Sequence, residues 1–170
     1  MGDAKLAAAI FNVGGRFVRK PFLDLSVEDF KAGYDANGVG LFNFAKATIP
    51  LLLDSVSDVK TGSPSLILTG ATAAMKGSAQ CASFASGKFA MRAVGQSLAR
   101  EFGPQGVHVA HAIIDGVIDI PRTRDYQING GVEDGKLNSD AIADTYWMLH
   151  SQGRSAWTQE IDLRPFVEKW

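Results

Sequence analysis

The sequence predicts an α/β fold, with a parallel sheet of about four strands flanked by helices. Short apolar runs alternate with long segments of helical periodicity, in the order βαβαβαβ. Parallel strands need a crossover connection, usually a helix, so this order favours a parallel sheet. A length of 170 residues, 46% of them hydrophobic, suits one domain with a sizeable core. We therefore expect residues 1–170 to form a single domain.

The first strand and the first long helix are predicted from the N-terminal third of the chain. Residues 6–13 form a continuous apolar run, which predicts a strand that is buried on both faces. Ser26 is a typical helix N-cap, and apolar residues then recur at helical spacing, which predicts a helix over about 26–52. Gly38 and Gly40 weaken such a helix, so we expect another backbone to approach closely there.

The later elements follow the same alternation. They are a strand at 65–69, a helix at about 84–102, a strand at 107–114, a helix from Asn138 or Ser139 to about His150, and a strand at 158–163. Between them, residues 115–136 are rich in glycine, and a segment of that length in a compact domain predicts a mobile substrate loop. Asp115, Asp119 and Asp125 in this loop are interpreted as solvated charges, because no further ligand at metal-binding spacing accompanies them.

Composition excludes several classes of function. A net charge of -1 without a basic stripe argues against nucleic acid as a partner, and no apolar run approaches the roughly 20 residues that span a bilayer. Residues 1–5 do not have the pattern of a signal peptide. Cys81 is the one cysteine, which fits a reducing compartment and a cytoplasmic location. His108 and His111 are three apart on a predicted strand, so they point to opposite faces and predict no shared metal.

Phe84 and Lys88 are the most informative pair in the chain. They are four residues apart at the start of a helical pattern, so both side chains lie on one face of the helix. With a tyrosine at position 84, the lysine ammonium would favour the phenolate, and the phenol could exchange a proton with a carbonyl or an alcohol. Phe84 has no such proton. The pair therefore indicates either an acid–base site without its acid or a chain that was never that kind of catalyst.

Five segments, in this order, resemble motifs of the short-chain dehydrogenase/reductase family. They are Asn12-Val13-Gly14, Asp35-Ala36-Asn37-Gly38-Val39-Gly40, Leu66 to Gly77, Phe84 to Lys88, and Ile114-Asp115-Gly116-Val117-Ile118. The resemblance spans about residues 6 to 165 and implies a Rossmann-like sheet. The family orders its strands 3-2-1-4-5-6-7, and the resemblance implies that this chain holds strands four to seven.

The resemblance also implies roles for individual residues. Asn37 takes the place of the asparagine that anchors a water in the family's proton relay, although its amide could equally satisfy a kinked helix backbone. Lys88 takes the place of the lysine that holds the cofactor ribose, although it could equally be a solvated lysine of the first helical turn. Ala71 stands at the family's serine position, with Thr72 beside it, and Phe84 stands at the tyrosine position.

The implied catalytic remnant is therefore Asn37, Thr72 and Lys88. The implied cofactor contacts, if a cofactor binds, are Asn12, Gly14, Lys88 and Gly116. Asp115 replaces the proline of the segment that touches the nicotinamide in the family.

The resemblance implies an oxidoreductase, but the family opens with a strand, a glycine-rich turn and a helix that hold the cofactor pyrophosphate. Nothing before Ala9 resembles that unit. We therefore expect a truncated member that, as it stands, lacks cofactor binding and hydride transfer and acts as a homo-oligomeric or partner-binding module. The alternative is an oxidoreductase that uses NAD or NADP, whose working form has a longer N-terminus, Met1 then being an internal start.

Self-association is predicted from the same comparison. Residues 6–13 would lie at an edge of the sheet, and an apolar edge invites pairing with another chain. Three helices that cover the sheet in the family would also be missing, which would leave a large apolar patch. We therefore expect a homo-oligomer, joined through the helices at about 26–52 and 84–102, with the orphaned edge as a further contact.

Overall fold

The computed structural model describes residues 4–58 and 62–169 and confirms the predicted α/β architecture. All neighbouring strands are parallel, in the order β1-β2-β3-β4, which is the order implied for strands four to seven of the resembling family. The elements are β1 (Ala8–Phe11), α1 (Val27–Tyr34), α2 (Gly40–Asp54), β2 (Ser65–Thr69), α3 (Ala82–Phe102), β3 (His108–Ile114), α4 (Ser139–Ser151) and β4 (Glu160–Leu163). The expectations for Met1 and for the first three residues of the chain lie outside the described residues.

Each face of the sheet has its own apolar core. On one face, α2 and α3 cover β1, β2 and β3, and the buried residues there are Ala9, Phe11, Leu41, Ala45, Ile49, Leu52, Leu66, Leu68, Met91, Val107 and Val109. On the other face, α4 packs over β2 and β3 through Leu149, Ile67 and Ala110. The alternation of side chains along each strand thus divides the apolar residues between two helical layers.

β1 is buried on one face only, so the prediction of burial on both faces is wrong. Ala9 and Phe11 face the core, whereas the side chain of Ile10 is 48% exposed. Ile10 pairs with Ile67 of β2, on the face that α4 covers further along the sheet. Among the described residues, β1 pairs with β2 and with no other strand. A continuous apolar run therefore marks an edge strand here.

The predicted helix over about 26–52 consists of α1, a π-helical turn at Asp35–Val39, and α2. Ser26 caps α1 as predicted, because its hydroxyl oxygen accepts a hydrogen bond from the backbone N–H of Asp29 at 3.0 Å. The wider turn contains Asn37, and such turns often occur at functional sites. The interruption therefore falls at the position that the family motif singles out.

Close backbone approach occurs where α1 crosses α3, mainly at two glycines that the sequence did not single out. A Cβ built on Gly33 would lie 2.1 Å from the carbonyl oxygen of Ser83, and one on Gly87 would lie 2.1 Å from the carbonyl oxygen of Gly33. Gly38 is less tight, at 3.3 Å from the Cβ of Ala90, and the nearest atom to a Cβ on Gly40 is 3.4 Å away, in ordinary contact. Glycine is thus required at Gly33 and Gly87, because the two helix backbones touch there.

None of the helices in residues 4–58 and 62–169 is long and apolar enough to cross a membrane. The same described residues contain no group of three or more side chains that could hold a metal ion.

Candidate functional site

A cavity of about 600 Å³ opens where the carboxyl ends of β2 and β3 meet the start of α3. Open parallel sheets bind ligands at this edge. Its lining includes Phe17, Ala71, Thr72, Phe84, Asp115 and Gly116. The structure therefore gathers four of the residues implied by the resemblance, Ala71, Thr72, Phe84 and Gly116, around one cavity.

Lys88 is buried, with 4% of its surface exposed, so the alternative of a solvated lysine is wrong. Its Nζ donates a hydrogen bond to the backbone carbonyl of Thr69, at 3.0 Å, and lies 6.0 Å from the centre of the Phe84 ring. Burial lowers the pKa of the ammonium to about 8, because the charged form loses hydration. A buried lysine of lowered pKa is typical of a functional site.

Phe84, which aligns with the tyrosine of the family motif, makes an apolar contact with a second ring. Its ring packs edge-on against Phe17, with the ring centres 5.1 Å apart and the planes at 84°. Edge-to-face packing of this kind stabilises an aromatic pair. The position therefore presents two apolar rings to the cavity.

Asn37 is fully buried in the π-helical turn, and its two amide atoms differ in their partners. Nδ2 donates to the carbonyl of Gly33 at 3.0 Å, as the structural alternative predicts. Oδ1 has no hydrogen-bond partner among the described residues. A buried acceptor without a donor is uncommon and marks a place where a bound water or ligand donor would be favoured.

Thr72 and Asp115 form a polar pair that the sequence analysis missed. The Thr72 hydroxyl donates a hydrogen bond to Oδ1 of Asp115, and Oδ2 of Asp115 lies 3.5 Å from Nη2 of Arg164. Asp115 is only 6% exposed, so its interpretation as a solvated loop charge is wrong. The strand register carries the missing signal. Thr69 pairs with Ala112, and Thr72 and Asp115 each follow three residues later.

A second buried polar cluster lies between α3 and the last two strands. Nδ1 of His111 bonds to Oε2 of Glu160 at 2.8 Å, and Glu160 also accepts two hydrogen bonds from Arg92, at 2.8 and 2.7 Å. Burial lowers the pKa of His111, and the Arg92 hydrogen bonds lower that of Glu160. His108 stacks on Trp157 on the opposite face of the sheet, as expected for two strand residues that are three apart.

The remaining implied cofactor residues lie at the end of β1. Asn12 and Gly14 are exposed and are not among the lining residues of the cavity. A Cβ on Gly14 would have no atom within 4 Å, so the backbone there is open to approach. Gly116 lines the cavity with φ at +151°, and a Cβ on it would lie 2.8 Å from Cδ of Pro165.

The segment 115–136 reaches the cavity through Asp115, Gly116, Val117 and Ile128. Its turns are held by side chains, since Nζ of Lys136 donates to the carbonyls of Thr123 and Arg124, and Nδ2 of Asn129 donates to Glu168. The mobility of this segment stays a prediction.

Residues 4–160 match the family model described as enoyl-(acyl carrier protein) reductase. The chain is 27% identical, over 156 residues, to an uncharacterized oxidoreductase of Staphylococcus epidermidis, which covers 92% of this chain and 64% of that relative. The chain thus spans less than two thirds of this relative.

Two solved structures are similar to this chain in fold. A short-chain dehydrogenase from Rhodopseudomonas palustris is 34% identical, with a TM-score of 0.71, over 94% of this chain and 62% of that one. The NADH-dependent reductase A1-R', responsible for alginate metabolism, is 20% identical, with a TM-score of 0.77, over 96% of this chain and 65% of that one. The second likeness concerns the fold alone.

Proposed function

Because the chain belongs to the short-chain dehydrogenase/reductase family, we propose that it is a member without tyrosine-dependent hydride transfer, acting as a self-associating module with a ligand-binding cleft. The observation that carries this proposal is the packing of Phe84 against Phe17 at the place of the acid. A phenyl ring can neither donate nor accept the proton that carbonyl reduction requires.

The neighbouring hydroxyl does not replace the lost one. Ala71 has no hydroxyl, and the Thr72 hydroxyl already donates to Asp115. Loss of a general acid costs typically about 10²- to 10⁴-fold in rate, and loss of a hydrogen bond to a developing oxyanion costs about 10²- to 10³-fold. The two losses together would reduce ordinary carbonyl reduction to a very low rate.

Within residues 4–58 and 62–169, the connections from strand to helix also offer no pyrophosphate turn of the usual kind. Residues 12–26 separate β1 from α1, and residues 70–81 separate β2 from α3. A tight glycine turn that leads directly from a strand into a helix is the feature that holds a dinucleotide pyrophosphate. The proposal is therefore that this chain, by itself, binds neither NAD nor NADP.

Self-association is proposed through the groove between α2 and α3. Its lining residues are Phe42, Ala45, Lys46, Ile49, Pro50 and Leu53 from α2, and Val94, Leu98, Glu101 and Phe102 from the end of α3. Phe42 of this groove is a large apolar side chain that is more than half exposed. Lys46 and Glu101 bring opposite charges to the two helices, so a second copy related by a two-fold axis can pair one with the other. The occupant that fits best is another copy of this chain.

Light scattering tests the self-association. We expect the wild-type chain, at micromolar concentration, to have the mass of at least two chains, and Phe42→Glu with Leu98→Glu to reduce it to one. Leu23→Glu changes an equally apolar, 95% exposed residue outside the groove and should leave the mass unchanged. A monodisperse wild-type monomer would remove this part of the proposal.

An oxidoreductase that works in a longer form is the second candidate, and Asn37 and Lys88 favour it. The free Oδ1 of Asn37 and the buried amine of Lys88 fit a site for a water and a cofactor ribose. Asn12, Gly14, Lys88 and Gly116 would then hold the nicotinamide end of NAD or NADP, which supplies the hydride. Residues 115–136 would cover the substrate.

Reductase assays on two lengths of the protein separate the candidates. We expect Ala71→Ser with Phe84→Tyr to raise carbonyl reductase activity in a longer form that carries a dinucleotide turn, and to leave the 170-residue chain inactive. Activity in the 170-residue double variant would contradict the proposal. Activity of the longer form with Phe84 intact would establish the second candidate instead.

A further inference from the structure

We propose that the cleft binds its ligand through a hydrogen-bond donor of that ligand, an alcohol or polyol hydroxyl, and disfavours a carbonyl group. The pairing of Thr72 with Asp115 carries this inference. It rests on the cleft being the ligand site, as proposed above, and it names the class of ligand.

The direction of the Thr72 hydrogen bond decides what Thr72 can offer. A threonine hydroxyl has one proton and two lone pairs, and an ionised carboxylate can only accept. The Thr72 hydroxyl uses its single proton to donate a hydrogen bond to Oδ1 of Asp115. Thr72 therefore meets the cavity as an acceptor, the reverse of a serine that donates to a substrate carbonyl.

Arg164 helps to keep the Thr72 hydroxyl as the donor and Asp115 as the acceptor. Its Nη2 lies 3.5 Å from Oδ2 of Asp115, and its guanidinium also bonds to Asp162 of β4. Asp115 is thereby held from two sides, by Thr72 at the end of β2 and by Arg164 after β4. Hydrogen bonds to a charged acceptor are stronger than neutral ones, so a ligand carbonyl does not easily take the Thr72 proton away.

The other donors of the lining, Lys76, Ser78 and Lys169, are exposed and can bond to a ligand carbonyl and to a ligand hydroxyl alike, so they do not favour the carbonyl. The nearest buried ammonium, that of Lys88, donates to the Thr69 carbonyl, and Phe17, Phe84, Ile114 and Val117 give the cavity an apolar lining that suits a carbon skeleton. A cavity of about 600 Å³ is within the usual size of small-molecule sites. One net hydrogen bond then separates an alcohol from a ketone of the same shape, which corresponds to roughly threefold to tenfold in affinity.

A matched pair of probes tests this directly. Cyclohexanol and cyclohexanone differ by one hydroxyl and one carbonyl on the same ring, and their binding can be followed by amide shifts of the ¹⁵N-labelled chain without any cofactor. We expect cyclohexanol to bind about threefold to tenfold more tightly, with shifts at Thr72 and Gly116. Equal affinities, a preference for the ketone, or no binding of either probe would overturn the proposal.

Two substitutions check that Thr72 and Asp115 set the preference. In Asp115→Asn the amide oxygen faces Arg164, so the amide nitrogen donates to Thr72 and releases its proton to the cavity, and we expect the preference to reverse. In Asp115→Ala the Thr72 hydroxyl can donate to the cavity as well as accept, so we expect the preference to vanish, whereas Thr72→Ser should keep it. Thr145→Val, at a partly exposed position of α4 outside the cavity lining, is the matched control and should bind as wild type does.

The test is independent of the proposed loss of hydride transfer. If Asp115→Asn does not fold, Asp115→Ala against Thr72→Ser still decides, and a preference unchanged in Asp115→Ala overturns the inference. NADH turnover by the chain would contradict the proposed function and would leave the probe preference as measured. The two proposals therefore fail by different observations.

Discussion

The two sides of the site differ in how their polar groups are hydrogen-bonded. The first side holds Lys88 and Asn37, and the second holds Thr72 and Asp115. On the first side the partners are main-chain carbonyls, and the amide oxygen of Asn37 has no partner among the described residues. On the second side the hydroxyl of Thr72 is committed to the carboxylate of Asp115. The first side therefore keeps a buried acceptor without a donor, whereas on the second side the hydroxyl and the carboxylate are paired with each other.

The difference teaches that the two pairs of residues are held by different means. Asn37 and Lys88 are framework residues, fixed by contacts within the fold, since Asn37 belongs to the π-helical turn and Lys88 to the buried face of α3. Ala71, Thr72 and Phe84 line a cavity, where a side chain can change at little cost to packing. Three substitutions test this separation, and the largest effect is expected in the framework.

Gly87→Ala should destabilise the chain most, because the new Cβ would lie 2.1 Å from the backbone carbonyl of Gly33. We expect a loss of about 3 kcal/mol in the free energy of unfolding, measured with urea, since the helices must separate to admit a methyl group. Gly103→Ala is the matched control, because its Cβ would meet no atom within 4 Å. Equal midpoints for the two variants would show that the crossing is not tight.

Lys88→Met should change the free energy of unfolding in the opposite direction and stabilise the chain at neutral pH. The pKa of Lys88 is about 8 in the folded protein, below its usual value, so the folded state bears the cost of a buried charge at pH 7. We expect a gain of about 2 kcal/mol, less than the full linkage because the bond to Thr69 is lost. This gain in the free energy of unfolding should shrink as the pH rises from about 8 to about 10.5. In that interval the amine is neutral in the folded state and still charged in the unfolded state.

Exposed Lys31→Met is the control for that measurement and should change stability little at any pH. A loss of stability in Lys88→Met at neutral pH would show that Lys88 is kept for structure. A gain shows that it is kept at a cost, which is typical of functional residues.

His111→Gln should have the smallest effect, and it should appear as a change in pH dependence. Burial lowers the pKa of His111 below its usual value, so the unfolded state takes up a proton first and stability falls as the pH drops through that range. Between about pH 7 and about pH 5, we expect the free energy of unfolding of the variant to fall less than that of wild type. His108, whose pKa is also lowered by burial, accounts for part of the remaining slope. Identical slopes in urea titrations would contradict the assignment.

The sequence predicted the sheet and its helices because strand runs and helical stripes are local signals. The strand at 65–69 matches β2 residue for residue, and the Ser26 cap was read from its own position. The prediction that β1 is buried on both faces was wrong, because an apolar run alone does not show whether a layer of helices covers each face of the strand.

The candidate site was only half predictable, for a related reason. Phe84 and Lys88 share a helix, so their spacing alone places them together. Asp115 and Thr72 meet only through the register of β2 and β3, and Glu160 reaches His111 only through that of β3 and β4. Pairings between distant strands leave no local pattern, so these polar contacts required the folded structure.

Titration of the 170-residue chain with NADH and NADPH, followed by nicotinamide fluorescence, tests the central claim most directly. With Phe84 in place of the acid and no dinucleotide turn in the part of the chain that the structure describes, we predict no saturable change with either cofactor at millimolar concentration. Saturable binding with a micromolar dissociation constant would contradict the account and establish this chain as a cofactor-binding enzyme domain.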